Sequence, residues 1–180
     1  MFNRTQARWH VLVGRLLAKL GWYRAAAKQF QSAIAIFPRH LVAYCLLGWT
    51  YQELQQHEKA LSTFDRAHQI APNSPYAHLH KGRSLMHLGK FQEAADAINR
   101  AFRIQPKYAS NPSYLEALAQ CCSHLDQIEK ALEAYLAAER LNPKNGEIVF
   151  RVGWALIKLE RYSEAAEALR RAILLNPREC

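Results

Sequence analysis

Glycine and proline are scarce, seven of each among 180 residues, which leaves little material for long flexible linkers. No apolar run approaches the roughly 18 residues of a membrane-crossing helix. The expected protein is therefore soluble and cytoplasmic, with no transmembrane segment. Cysteine is limited to Cys45, Cys121, Cys122 and Cys180, with no CxxC pair and no regular metal spacing. That pattern fits a reduced thiol set better than a disulfide framework, with adjacent Cys121 and Cys122 on different helix faces. Acid is missing from the start of the chain: the first acidic residue is Glu53, whereas Arg4, Arg8, Arg15, Lys19, Arg24, Lys28 and Arg39 precede it. An acid-free, arginine-rich start can be a transit peptide, and it lacks the apolar core of a secretory signal. The repeat described next claims this segment as folded structure.

What the chain has in quantity is self-similarity. The stretch LGKFQEAADAINRAFRIQP, Leu88 to Pro106, returns as LERYSEAAEALRRAILLNP, Leu159 to Pro177. The prolines Pro38, Pro72, Pro106, Pro143 and Pro177 are spaced 34, 34, 37 and 34 residues apart. The series Gly14, Gly48, Gly82, Ala119 and Gly153 keeps that register. So do Ala26, Ala60, Ala94, Ala131 and Ala165, and also Ala33, Ala67, Ala101, Ala138 and Ala172. Four series in one register define five copies.

Within a copy the apolar spacing is helical. Val149, Val152, Gly153 and Leu156 step by three or four, as do Ala165, Leu169, Ala172 and Ile173. Each copy therefore holds two helices, with the break near Gly21, Gln55, Gly89, Asp126 or Glu160. Small residues in the Gly14 and Ala26 series let the paired helices approach closely. A proline closes each copy, because it cannot continue a helix. Restarts are expected at Ser74, Asn111 and Asn145, good N-caps placed before Pro75, Pro112 and Gly146.

The period, the helix–turn–helix content and these positions resemble the tetratricopeptide repeat (TPR) family over residues 7–179. Aromatics at Tyr23, Phe30, Tyr51, Phe64, Tyr135 and Tyr162 add to the likeness. The departures are His10, Tyr44, His78, Leu115 and Val149 at the family's early tryptophan, Ala119 for glycine, and an insertion at 109–111 read as a longer turn. The resemblance implies an all-α, right-handed α-solenoid of five repeats, 7–40, 41–74, 75–108, 112–145 and 146–179, in one domain spanning 1–180. Stacking is required because a single pair cannot bury its apolar face.

In TPR proteins the first helix of each pair lines a concave groove that takes partner segments. The resemblance places Arg8, Val11, Arg15 and Lys19 there from the first repeat, and Cys45, Trp49 and Gln52 from the second. The third gives Tyr76, Leu79, Arg83 and His87; the fifth gives Phe150 and Trp154. Ser113, Glu116, Gln120, Ser123 and His124 are candidates from the fourth. Arginine and lysine pair carboxylates, and large aromatics anchor interfaces, so the expected ligand is a peptide with acidic and apolar residues. The Lys/Asn/Arg set with which some TPR proteins hold chaperone tails is absent, since Val11, Arg15, Trp49 and Tyr76 occupy matching slots.

Three function classes remain open. The first is a non-catalytic scaffold with a peptide in the groove. The second is self-assembly through the solenoid ends, with a homo-oligomer through repeat five. The third is a basic accessory to RNA or lipid, consistent with a net charge of +9 concentrated in residues 1–40. No RNA motif is present, so nucleic acid is not the expected partner. No GxSxG, Walker loop, GxGxxG or HExxH occurs, so neither catalysis nor a cofactor is expected. Glu53, His87 and His124 share one register slot, but successive repeats spread them too far for one metal. The chain stops at Cys180, directly after repeat five. Ile148, Val152, Leu159, Tyr162, Ala166, Leu169 and Ile173 are then expected as an uncovered end, implying a longer native chain or a C2 contact.

Overall fold

The computed structural model describes residues 2–176; the closing residues Pro177 and Cys180 lie outside the described residues. Ten α-helices and one short 3-10 turn occur among the described residues, with no strand. They are α1 (Phe2–Lys19), α2 (Tyr23–Ile36), α3 (Leu41–Glu53), α4 (His57–Ile70), α5 (Pro75–His87), α6 (Phe91–Ile104), α7 (Pro112–His124), α8 (Ile128–Leu141), α9 (Gly146–Lys158) and α10 (Tyr162–Leu175). Packing divides the chain into two compact units, Met1–Gly89 and Lys90–Cys180.

In the first unit α1 packs on α2 and α3 on α4, with α2–α3, α4–α5 and α3–α5 contacts joining the pairs. The glycine series explains the close approach. A Cβ on Gly14 would lie 2.6 Å from the Phe30 ring, and one on Gly48 2.6 Å from Phe64. Both rings are fully buried. Burying a side chain of that size contributes about 1.5–3 kcal/mol. Ala26, Ala33, Ala60 and Ala67 are completely buried beside them, giving the second helix of each pair its flat contact face.

The second unit repeats this plan with α7 against α8 and α9 against α10. A Cβ on Gly153 would lie 2.8 Å from the Leu169 side chain, and Ala119 shares a buried cluster with Tyr135. The insertion is more ordered than a plain longer turn. After α6 the chain forms a 3-10 turn, Pro106–Ser110, and Tyr108 meets Tyr114 edge to face at 6.0 Å.

All five expected breaks adopt a left-handed backbone. Gly21 and Gly89 have φ of 77° and 73°, and Gln55, Asp126 and Glu160 have φ of 58°, 57° and 59°. Glycine takes this conformation without steric cost, and the other three residues do not. The expected caps form as well. Ser74 accepts from the Ala77 amide, Asn111 Oδ1 from Ser113 at 3.0 Å, and Asn145 Oδ1 from Glu147 at 3.1 Å. His40, one period before Ser74, also caps its helix, with Nδ1 3.4 Å from the Ala43 amide.

Candidate functional site

The first-helix residues divide into packed and accessible groups. In the first unit Val11, Cys45, Gln52 and Leu79 are buried, so their side chains belong to the helix interfaces and not to a partner surface. Burial pushes the Cys45 thiol up to about 11, which makes it an inert core group. Gln52 is the centre of a polar cluster. Its Nε2 donates to the His80 carbonyl at 2.7 Å and to Ser84 Oγ at 2.8 Å, and its Oε1 accepts from His80 Nδ1 at 2.9 Å. The His80 ring packs on Tyr76 at 4.2 Å and on Phe64 at 5.6 Å. Burial, and secondarily Arg83, pull its imidazole down to about 4, so it is neutral.

Arg8, Arg15, Lys19, Arg83 and His87 remain exposed. Trp49 is half-buried with its edge toward Tyr23 at 5.8 Å, and Tyr76 is half-buried against His80. His87 stacks on His57 with ring centres 4.2 Å apart. Burial, the neighbouring His57 and Arg83 all lower its proton affinity.

The second unit holds a recess of about 550 Å³ lined by Gln120, Ser123, His124, Asp126, Tyr135, Arg151 and Trp154. α7 supplies the polar wall and α9 supplies Arg151 and Trp154. Lys158 Nζ lies 5.5 Å over the Trp154 ring, leaving an aromatic wall with a cationic edge. Arg151 bonds Glu147 one turn back, Nε to Oε1 at 2.9 Å. Burial, then Glu147, raise the Glu116 carboxyl, while Arg151 opposes both. Burial also raises the Tyr135 phenol, so its hydroxyl stays protonated as a donor. Phe150 is exposed, beside a second recess of about 380 Å³ with Gly146, Leu169, Ala172 and Ile173.

Of the first-helix candidates in the sequence, Gln120, Ser123, His124 and Trp154 line this recess, and Ser113 and Glu116 do not. The sequence pattern spreads them along a longer groove. It misses Arg151, Asp126 and Tyr135. Tyr135 follows Phe30 and Phe64 in the register of rings that point from the second helix to the first, which is the signal that would have found it. Among the described residues no group of three or more His, Cys, Asp or Glu is arranged to hold a metal, and no helix is long and apolar enough to cross a membrane.

Residues 46–172 match the family described as Psidin, N-terminal TPR repeats region, and residues 12–75 match tetratricopeptide repeat. The chain belongs to the tetratricopeptide repeat family. Among curated proteins it is similar to anaphase-promoting complex subunit 7 of Dictyostelium discoideum, 29% identical over 74% of this chain and 23% of that protein. It is also similar to human protein O-mannosyl-transferase TMTC3, 26% identical over 98% of this chain and 21% of that protein. The chain thus spans about a quarter or less of the length of these relatives. Among solved structures, MamA 41-end from Desulfovibrio magneticus RS-1 aligns with a TM-score of 0.87, at 17% identity and covering 97% of both chains. YrrB, described as a TPR protein with an unusual peptide-binding site, aligns with a TM-score of 0.81 at 18% identity, covering 94% of this chain and 86% of that one. These likenesses show the TPR solenoid fold, a scaffold typical of protein–protein interaction.

Proposed function

We propose that the chain acts as one non-catalytic TPR interaction domain that holds a partner peptide on its first-helix faces, in a cytoplasmic setting. The observation that carries this reading is the second-unit recess. Trp154 offers an aromatic wall, Arg151 and Lys158 offer cations, and Gln120 offers an amide able to pair with peptide backbone. An apolar anchor residue flanked by a carboxylate fits that set. In the first unit, exposed Arg83 and Arg15 supply further positive charge for acidic residues. The buried free thiols Cys45, Cys121 and Cys122 support the reducing compartment.

The test is selection of a random peptide library on the chain, followed by calorimetric titration. Selected peptides should combine an aromatic or aliphatic residue with an acidic one. Trp154→Ala should weaken them about tenfold or more, as loss of an anchor does. Selected peptides that bind Trp154→Ala and Arg151→Glu at unchanged affinity would remove the recess from the proposal.

Self-association through repeat five is a second reading, supported by a different observation. Tyr162, Ile173 and Leu174 on α10 are 64%, 49% and 81% exposed. Ile148 and Val152, expected on that face, are instead buried in the core, because they point from α9 toward the preceding helices.

A further inference from the structure

Helix α1 carries the largest exposed apolar side chains of the first unit. Trp9, Leu12, Leu16 and Leu20 are 65%, 58%, 61% and 58% exposed, and Trp22, the last residue before α2, is 62% exposed. Steps of three, four and four place the first four on one stripe, with Leu20 in the turn that continues it. The other side of α1, marked by Ala7, Val11 and Ala18, is buried. Five side chains this exposed present on the order of 500 Å² of apolar surface, the size at which a patch marks an interaction site.

The charge beside the stripe is of one sign. Arg8, Arg15 and Lys19 each precede a stripe residue by one position, about 100° round the helix, so they run along a single edge of it. All three are exposed, and among the described residues no ion pair engages them. Arg24 and Lys28, exposed on α2, extend the same positive field, and no acid occurs before Glu53.

We propose that this face of α1 seats on a membrane surface rich in anionic lipid. The tryptophans and leucines enter the boundary between headgroups and acyl chains, and Arg8, Arg15 and Lys19 contact lipid phosphates. The helix lies on the bilayer; it does not span it. Three properties favour lipid over a protein helix. The stripe is a convex helix surface, which a deformable interface covers along its whole length. Trp9 opens it and exposed Trp22 lies just past it in the chain; tryptophan is the side chain that prefers the membrane–water interface. The cations have long apolar stems that let their charges reach phosphates while the stripe is immersed. This face shares no residue with the second-unit recess, and the proposal does not depend on the peptide reading, with which it has Arg15 alone in common.

The experiment is co-sedimentation of the intact chain with vesicles of phosphatidylcholine alone or containing about 30% phosphatidylglycerol. Partition onto the anionic vesicles should be about tenfold or more stronger, and should fall as salt rises. Leu12→Glu with Leu16→Glu should abolish it while the helical circular dichroism stays unchanged, because both side chains are exposed. Arg8→Glu with Arg15→Glu should remove the anionic preference. Equal binding to both vesicle types would overturn the proposal. So would anionic binding that survives the paired leucine changes, which would mark a diffuse polycation effect. Two further outcomes also overturn it: a dimer by light scattering that the leucine changes dissolve, or retention of an acidic amphipathic peptide with no vesicle binding.

Discussion

Among single residues, His80 has the sharpest consequence. It sits neutral between Tyr76 and Phe64, with Gln52 holding its Nδ1 proton. Its folded value, about 4, lies below the ordinary imidazole value of 6.5. The unfolded chain therefore binds the proton more readily, and acid favours unfolding. The stabilisation is complete above pH 6.5 and is lost as pH falls from 6.5 toward 4. The depression corresponds to roughly 3 kcal/mol at its limit. Urea titrations at pH 7 and pH 5 should show this loss, and His80→Gln should flatten the dependence; an equally steep profile in the variant would assign the effect elsewhere. None of this was legible in the sequence. Gln52 occupies a first-helix slot that the family resemblance assigns to the groove, and packing of α3 on α5 turns it inward. Packing between neighbouring helices also buries Val11, Cys45 and Leu79, so the accessible site is smaller than the pattern of slots implies.

The helices themselves were legible almost to the residue, because period, proline and N-cap signals agree with one another. The left-handed breaks were legible as positions, and their cost was not. Gln55, Asp126 and Glu160 hold positive φ with a Cβ, which costs each about 1–2 kcal/mol relative to glycine in that conformation. Glu160→Gly should therefore stabilise the chain by roughly 0.5–1 kcal/mol after the extra unfolded-state entropy of glycine is subtracted. Thermal melts of the single variant decide this, and a lower midpoint would show that the Glu160 side chain stabilises the joint by another route. The 3-10 turn at Pro106–Ser110 was not legible in form, because three extra residues fix a length and not a hydrogen-bond pattern.

At the scale of the molecule, the two units present surfaces of different character. The first unit presents a basic, apolar stripe, and α10 presents Tyr162, Ile173 and Leu174 with neighbouring charges of both signs, Glu164, Arg170 and Arg171 among them. Mixed charge permits like surfaces to meet about a two-fold axis, as a C2 contact requires. If repeat five mediates self-association, sedimentation under reducing conditions should give a concentration-dependent dimer. Ile173→Glu with Leu174→Glu should return it to monomer with unchanged helicity, since both residues are exposed. A strict monomer at high concentration would dismiss that contact and leave the peptide reading untouched.

The ring-into-glycine contacts also have a meaning for the history of the gene. Phe30 fills the space left by Gly14, and Phe64 the space left by Gly48, whereas Tyr135 accompanies Ala119 and Leu169 accompanies Gly153. Each hole and its filler lie on the two helices of one repeat. Recombination with breakpoints between repeats carries both together and preserves the fit. A breakpoint at a left-handed joint, such as Gln55 or Glu160, separates them; joining α3 to α10 would set Leu169 against Gly48, where the larger Phe64 ring fills the space. Duplication in this lineage is thus expected to have proceeded in whole repeats, with the seams at the closing prolines and the 37-residue interval from Pro106 to Pro143 reflecting a later insertion.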